Sequence, residues 1–154
     1  MDKSLTSLYL ENQLCFPLYA ASRLTTKVYA PYLAELNVTY PQYLVLLVLW
    51  QHEEQSVHEI GERLLLESNT LTPLLKRLEG KELLIRTRSK MDERSVIVSL
   101  TEKGRKLKDQ ASSIPEKIME SFKDTAITES EINTFKETLL KLVATLDQKI
   151  SKTK

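Results

Sequence analysis

The sequence predicts a mainly α, α+β fold on three observations. Val57, Ile60, Leu64 and Leu65, then Leu71, Leu74, Leu75 and Leu78, form two apolar sets at helical spacing with only Leu66-Glu67 between them. Directly afterwards the period drops to two, in Leu84–Arg88 and Ser95–Ser99, around the polar tip Ser89-Lys90-Met91-Asp92-Glu93-Arg94. Toward both termini the apolar spacing is helical again.

Ser7 to Leu36 reads mainly as one helix. Proline fits a first helical turn and clashes deeper in, so Pro17 puts the regular start near Leu14 or makes an earlier turn run into a kink. Either way Cys15 lies close to a helix start. Pro31 and Pro41 bound a connector, Tyr43 to Trp50 is a continuous apolar run that makes a buried helix, and residues 51–55 (Gln-His-Glu-Glu-Gln) read as a polar loop. Ser68 and Asn69 are suited to cap the second central helix. Pro73 sits early in that helix and leaves its start open by a residue or two.

After the hairpin, Thr101 caps a helix running through Lys103 to Phe122, which Pro115 bends or interrupts. Thr128-Glu129-Ser130-Glu131 has the form of a capping box. The helix it starts carries Ile132, Phe135, Leu139, Leu142, Val143, Leu146 and Ile150 on one stripe. Such a stripe either packs within the monomer or, the preferred reading, joins the N-terminal helix in a two-fold dimer interface. The expected organisation is one domain over residues 1–154, with a central unit at 42–100 and dimerisation helices at 1–36 and 105–150.

Two short helices followed at once by a basic hairpin describe a winged helix-turn-helix, whose second helix enters the DNA major groove while the hairpin reaches along the duplex. A helix pair alone is weak evidence, and the adjoining hairpin strengthens it. Charge distribution points the same way. The net charge is only +1, yet residues 76–108 hold eleven Lys or Arg against five acids, while residues 1–75 hold four against eight and 109–154 seven against eight. A cationic block placed on this unit suits a phosphate footprint. Ser68, Thr70, Thr72, Lys76 and Arg77 are the expected contacts to the major groove or its phosphates. Arg86 and Arg88 share one strand face and suit the DNA backbone. Arg94 at the wing tip suits a narrow minor groove, with Asp92 orienting it. A symmetric dimer on a pseudo-palindromic operator would place half-sites about 34 Å apart.

Composition excludes several other classes. Apolar residues make up 42% and charged residues 28%, as in an ordinary soluble protein. No apolar run approaches the ~18 residues of a membrane span, and Met1-Asp2-Lys3-Ser4 lacks a signal-peptide pattern. A single cysteine rules out an intrachain disulfide and suits a reducing, cytoplasmic compartment. His52, His58 and Cys15 do not have metal-ligand spacing, and no cofactor is expected.

At Asp92-Glu93-Arg94 and at Leu100-Thr101-Glu102-Lys103-Gly104 the chain resembles the MarR family of winged-helix repressors, in the wing and in the exit from it. Leu10 to Tyr19 and Asn37 to Leu46 are similar to its OhrR-type branch, single-cysteine sensors of organic hydroperoxides. Related thiol-switch regulators of the MgrA and SarZ kind share much of this pattern. The likeness extends over nearly the whole chain. It implies a homodimeric DNA-binding repressor whose reactive cysteine, Cys15 here, is hydrogen-bonded by tyrosines at the positions of Tyr29 and Tyr40.

The residues carry part of that expectation themselves. Helix-start N–H groups stabilise a thiolate, the form that attacks peroxide, and Arg23 lies two turns on to add to the field. Tyr19 is one turn from Cys15 on the same face. Fourteen residues (29 − 15) separate Cys15 from Tyr29, about 21 Å of straight helix, so Tyr29 can meet such a sulfur only across a dimer with antiparallel first helices. The expected chemistry is oxidation of Cys15 to sulfenic acid by an organic hydroperoxide, then a mixed disulfide with a small thiol, or a sulfenamide. Two alternatives remain at this point: a repressor answering a small aromatic ligand with Cys15 passive, and a one-cysteine peroxidase. No nucleophile–base pair or phosphate loop supports other catalysis.

Overall fold

The computed structural model describes residues 3–92 and 94–152, which fall into two compact units, Met1–Ile114 and Pro115–Lys154. In the first, a helical turn α1 (Lys3–Thr6) and a 3-10 turn (Leu10–Asn12) lead into the long helix α2 (Cys15–Glu35). Pro17 occupies its first turn, where a missing N–H costs nothing. Pro31 departs from expectation: it lies inside α2 instead of bounding a connector. It deprives the Lys27 carbonyl of its helical donor, a loss confined to the last turns of the helix. α2 closes through left-handed Asn37 (φ 53°), with Asn37 N–H donating to the Ala34 carbonyl and Val38 N–H to that of Leu33, both at 3.0 Å.

Helix α3 (Tyr40–Gln51) begins three residues before the apolar run, because Thr39 and Gln42 form a capping box and Pro41 fits the first turn. A second correction follows it. Residues 54–56, expected mostly within a polar loop, form strand β1 (Glu54–Ser56). Ladder bonds need only backbone groups, so a polar edge strand leaves no apolar signature in the sequence.

Ser56 ends β1 and caps α4 (Val57–Leu64), reciprocally with Glu59. The helix-turn-helix then turns at Leu65, which adopts left-handed backbone (φ 53°) and is 58% exposed, so it is not part of the apolar face as expected. Gly61 allows this closure. Its carbonyl accepts Leu66 N–H at 2.9 Å, and a Cβ there would come within 2.8 Å of the Leu66 carbonyl oxygen. Helix α5 (Ser68–Gly80) starts at Ser68 with Glu67 as its cap residue, so neither Ser68 nor Asn69 caps it, and Pro73 is accommodated within it.

Strands β2 (Leu84–Arg88) and β3 (Val96–Leu100) pair antiparallel from Leu84↔Leu100 to Arg88↔Val96, and the sheet order is β1-β3-β2. Thr101 Oγ accepts Gly104 N–H at 3.0 Å and starts α6 (Glu102–Ala111) as expected. That helix ends at Ala111, and a short α7 (Ile114–Glu120) follows, so the run is interrupted as expected, at Ser112-Ser113 just before Pro115. Val45, Leu46 and Leu49 of α3, Ile60 of α4, and Leu71, Leu75 and Leu78 of α5 are wholly buried. Each such side chain contributes roughly 1.5–3 kcal/mol, which fixes the helix-turn-helix on α3.

In the second unit the predicted capping box forms at Thr128 and Glu131 and starts α8 (Glu129–Ser151). None of its residues is buried. Phe135, Val143, Leu146 and Ile150 stay 42–61% exposed, so packing within the chain leaves much of the apolar stripe open.

Candidate nucleic-acid interface and thiol site

The side of α5 away from the core presents Ser68, Asn69, Thr70, Lys76 and Arg77, all exposed, with Thr72 half-buried. The Thr72 hydroxyl donates to the Ser68 carbonyl at 2.7 Å, and the Thr70 hydroxyl to Asn69 Oδ1 at 3.3 Å. Helix α5 thus carries a compact row of short polar groups next to two long cations.

The wing tip is organised by two side chains. Asp92 Oδ1 accepts the Arg94 backbone N–H at 3.0 Å and Oδ2 the Ser95 hydroxyl at 2.9 Å, while Ser89 Oγ accepts the N–H groups of Met91 and Asp92. Asp92 therefore fixes the backbone from which the exposed Arg94 projects. Glu93 lies outside the described residues. The two strand arginines part ways. Arg88 is exposed, whereas Arg86 is gripped by Glu79 of α5, its Nε and Nη2 donating to Oε2 at 3.0 and 2.7 Å and its backbone N–H to Oε1 at 3.2 Å. Hydrogen bonding by Arg86 holds the Glu79 carboxyl below its ordinary pKa. This pair, which sequence spacing could not reveal, ties the wing to α5.

Cys15 is the first residue of α2, and its thiol is free and exposed. Tyr19 stands one turn on. Its ring lies under the Arg23 guanidinium at 5.6 Å, and its hydroxyl accepts from Arg23 Nη1 at 3.4 Å. Tyr29 and Tyr40 do come together, ring centroids 5.0 Å apart and edge to face, and Tyr43 joins them at 6.2 and 6.4 Å. The apolar run in the sequence marks Tyr43 only as the start of a buried helix, although its spacing of three from Tyr40 puts both on one face. Burial first, then the neighbouring phenols, raises the pKa of Tyr29, and burial with Tyr40 raises that of Tyr43. Both therefore remain O–H donors at neutral pH. The unbroken α2 holds this cluster about 21 Å along its axis from the Cys15 of the same chain.

Among the described residues no three His, Cys, Asp or Glu gather to hold a metal, and His58 pairs with Glu62 at 3.5 Å. No described helix is long and apolar enough to cross a membrane.

Residues 27–111, more than half of the chain, match the family described as transcriptional regulator SarA/Rot. The chain belongs to the SarA/Rot family of transcriptional regulators. The match spans the tyrosine cluster, the helix-turn-helix, the wing and α6. This SarA/Rot member is also 50% identical, over 97% of its length and 99% of the relative's, to the organic hydroperoxide resistance transcriptional regulator of Bacillus subtilis. Among solved structures it is similar to reduced AbfR bound to DNA, with TM-score 0.76, 37% identity and coverage of 97% of this chain and 99% of that one. It is similar also to overoxidized AbfR bound to DNA, with TM-score 0.71, 36% identity and coverage of 95% and 99%. AbfR is a protein of Staphylococcus epidermidis. The expected MarR-type winged helix is thus the fold observed.

Proposed function

We propose that this SarA/Rot-family regulator is a homodimeric DNA-binding repressor that releases its operator when an organic hydroperoxide oxidises Cys15. The observation carrying this reading is an exposed thiol on the first residue of a long helix, paired with a phenol cluster too far along that helix to serve it within one chain. A second copy running antiparallel brings Tyr29 and Tyr40 to the sulfur, and the open stripe on α8 supplies apolar area for the pairing. The hydroperoxide named in the Bacillus subtilis relative and the redox forms named for AbfR support a thiol-based redox sensor that binds DNA.

In this scheme the Cys15 thiolate attacks the terminal peroxide oxygen and the O–O bond breaks. Sulfenic acid forms on the protein, and the departing alkoxide takes a proton to become the alcohol. A small thiol then attacks the sulfenic sulfur, giving a mixed disulfide and water. The larger sulfur group breaks the phenol contacts and moves the two reading helices off their half-site spacing. A coupling of ~1–3 kcal/mol between sites lowers affinity roughly 5–150-fold.

On DNA, Ser68, Thr70, Thr72, Lys76 and Arg77 meet the major groove and its phosphates, Arg88 the backbone and Arg94 the minor groove, with Arg86 and Asp92 holding the wing in place. The protein works in the cytoplasm and consumes peroxide stoichiometrically, not as an enzyme. The test is a gel shift on a duplex selected from random DNA by the reduced protein, with and without cumene hydroperoxide, followed by dithiothreitol. Wild type is expected to release and rebind, and Cys15→Ser to stay bound throughout. Release of the serine variant by peroxide refutes the scheme, and turnover of many peroxide equivalents refutes the non-enzymatic reading.

A further inference from the structure

The phenol cluster does not end at Tyr43. The Tyr43 ring meets Trp50 two turns further along α3, centroids 6.1 Å apart and edge to face. Tyr43 is 3% exposed, so this contact has little slack. The Trp50 indole Nε1–H then leaves α3 and donates to the Gly104 carbonyl at 2.9 Å. Lys108 Nζ donates in turn to the Trp50 carbonyl at 3.2 Å, so α6 holds Trp50 at two points.

Gly104 is placed without freedom. A Cβ built there would collide with the Leu83 carbonyl oxygen and crowd the Leu100 side chain, so the Gly104 backbone packs directly on that of Leu83. Its N–H donates to Thr101 Oγ at 3.0 Å, and that hydroxyl donates to the Glu82 carbonyl at 2.6 Å. Glu82 is in the turn by which α5 passes into the wing, in left-handed backbone at φ 59°. Rings therefore run from Tyr29 to Trp50, and hydrogen bonds continue from Trp50 to the exit of the reading helix.

We propose that Trp50 is a positioning residue that couples the tyrosine cluster at the α2–α3 contact to the α5–wing junction through its bond to Gly104. This deepens the redox reading and rests on it. A tightly packed path with two discrete arrangements can be biased from either end. Among the described residues, the indole N–H is the ring donor that joins the aromatic part of this path to its backbone part.

Trp50→Phe keeps a ring and removes that donor. Affinity for the selected duplex is measured for reduced and cumene hydroperoxide-treated protein, with Cys15 modification followed by mass spectrometry. The variant is expected to bind DNA within about threefold of wild type when reduced and to oxidise at the same rate. Its reduced-to-oxidised affinity ratio should fall roughly three- to tenfold, the worth of one neutral hydrogen bond. An unchanged ratio in a folded variant overturns the proposal while leaving the redox reading intact. If oxidised wild type keeps its full affinity, the redox reading fails and this inference with it. A measurement on the native sequence covers a variant that does not fold. Trp50 is the one tryptophan of the chain, so its emission should shift on Cys15 oxidation in wild type and stay fixed in Cys15→Ser. Constant emission after complete oxidation overturns the coupling.

Discussion

At Gly104 a methyl group would be driven into the Leu83 carbonyl, because α6 leaves the wing directly over the end of α5. Gly80, near the end of α5, has nothing within 4 Å of a Cβ and no left-handed backbone. The two glycines should therefore answer the same substitution with opposite signs. Gly104→Ala is expected to lower stability by about 1–3 kcal/mol through overpacking. Gly80→Ala should raise it by about 0.4–1 kcal/mol by restricting the unfolded chain. Urea midpoints at constant slope check both. Cys15 poses a different question, since its thiol is exposed. Cys15→Ser should leave the unfolding free energy from urea titration within about 0.5 kcal/mol of wild type, separating loss of sensing from loss of fold.

One carboxylate, Glu79, adds an ion pair to the link between α5 and the wing. Because the Glu79 pKa is depressed below its ordinary 4.5 by hydrogen bonds from Arg86, its contribution is present above that value and lost as pH falls through the lowered pKa. The capping carboxylates Glu59 and Glu131 are depressed too, by their bonds with Ser56 and Thr128. Stability should thus decline below about pH 4.5, and Glu79→Gln should flatten part of that decline. A double-mutant cycle with Arg86→Gln should give a coupling of about 0.2–1 kcal/mol, as for a partly exposed pair. The elements show what a sequence can and cannot convey. Helical spacing discloses α4 and α5, a continuous apolar run discloses α3, and the Thr128 capping box discloses α8, because burial and capping are local signals. β1 is hidden because its ladder uses backbone atoms alone, and Pro31 misleads because a late position in a long helix tolerates it. Leu65 counts as apolar face in the sequence because composition does not report a left-handed turn. At the site, Cys15 and its helix start are legible, whereas Arg86–Glu79 and Trp50–Gly104 join residues that only the tertiary fold brings together.

Across the whole chain, the basic residues are concentrated in one stretch of the sequence. The block of eleven basic residues at 76–108 holds α5 from Lys76 onward, the wing and the start of α6, while the open apolar stripe runs along α8. Binding to DNA should therefore weaken steeply with salt, and Arg94→Gln should reduce the slope of log K against log salt by about 0.9 for each phosphate that the arginine neutralises. Val143→Glu with Leu146→Glu places two charges on the stripe and should halve the sedimenting mass. The same variant should lose operator binding while the isolated chain keeps its helical content by circular dichroism. Recovery after the stress has passed depends on the cysteine count. With one cysteine in its sequence, each subunit has no second thiol of its own to undo its oxidation. How long the genes stay open is then dictated by how quickly the surrounding pool of reduced small thiols is replenished, so the regulator would act as a timer wound by the cell's reducing power.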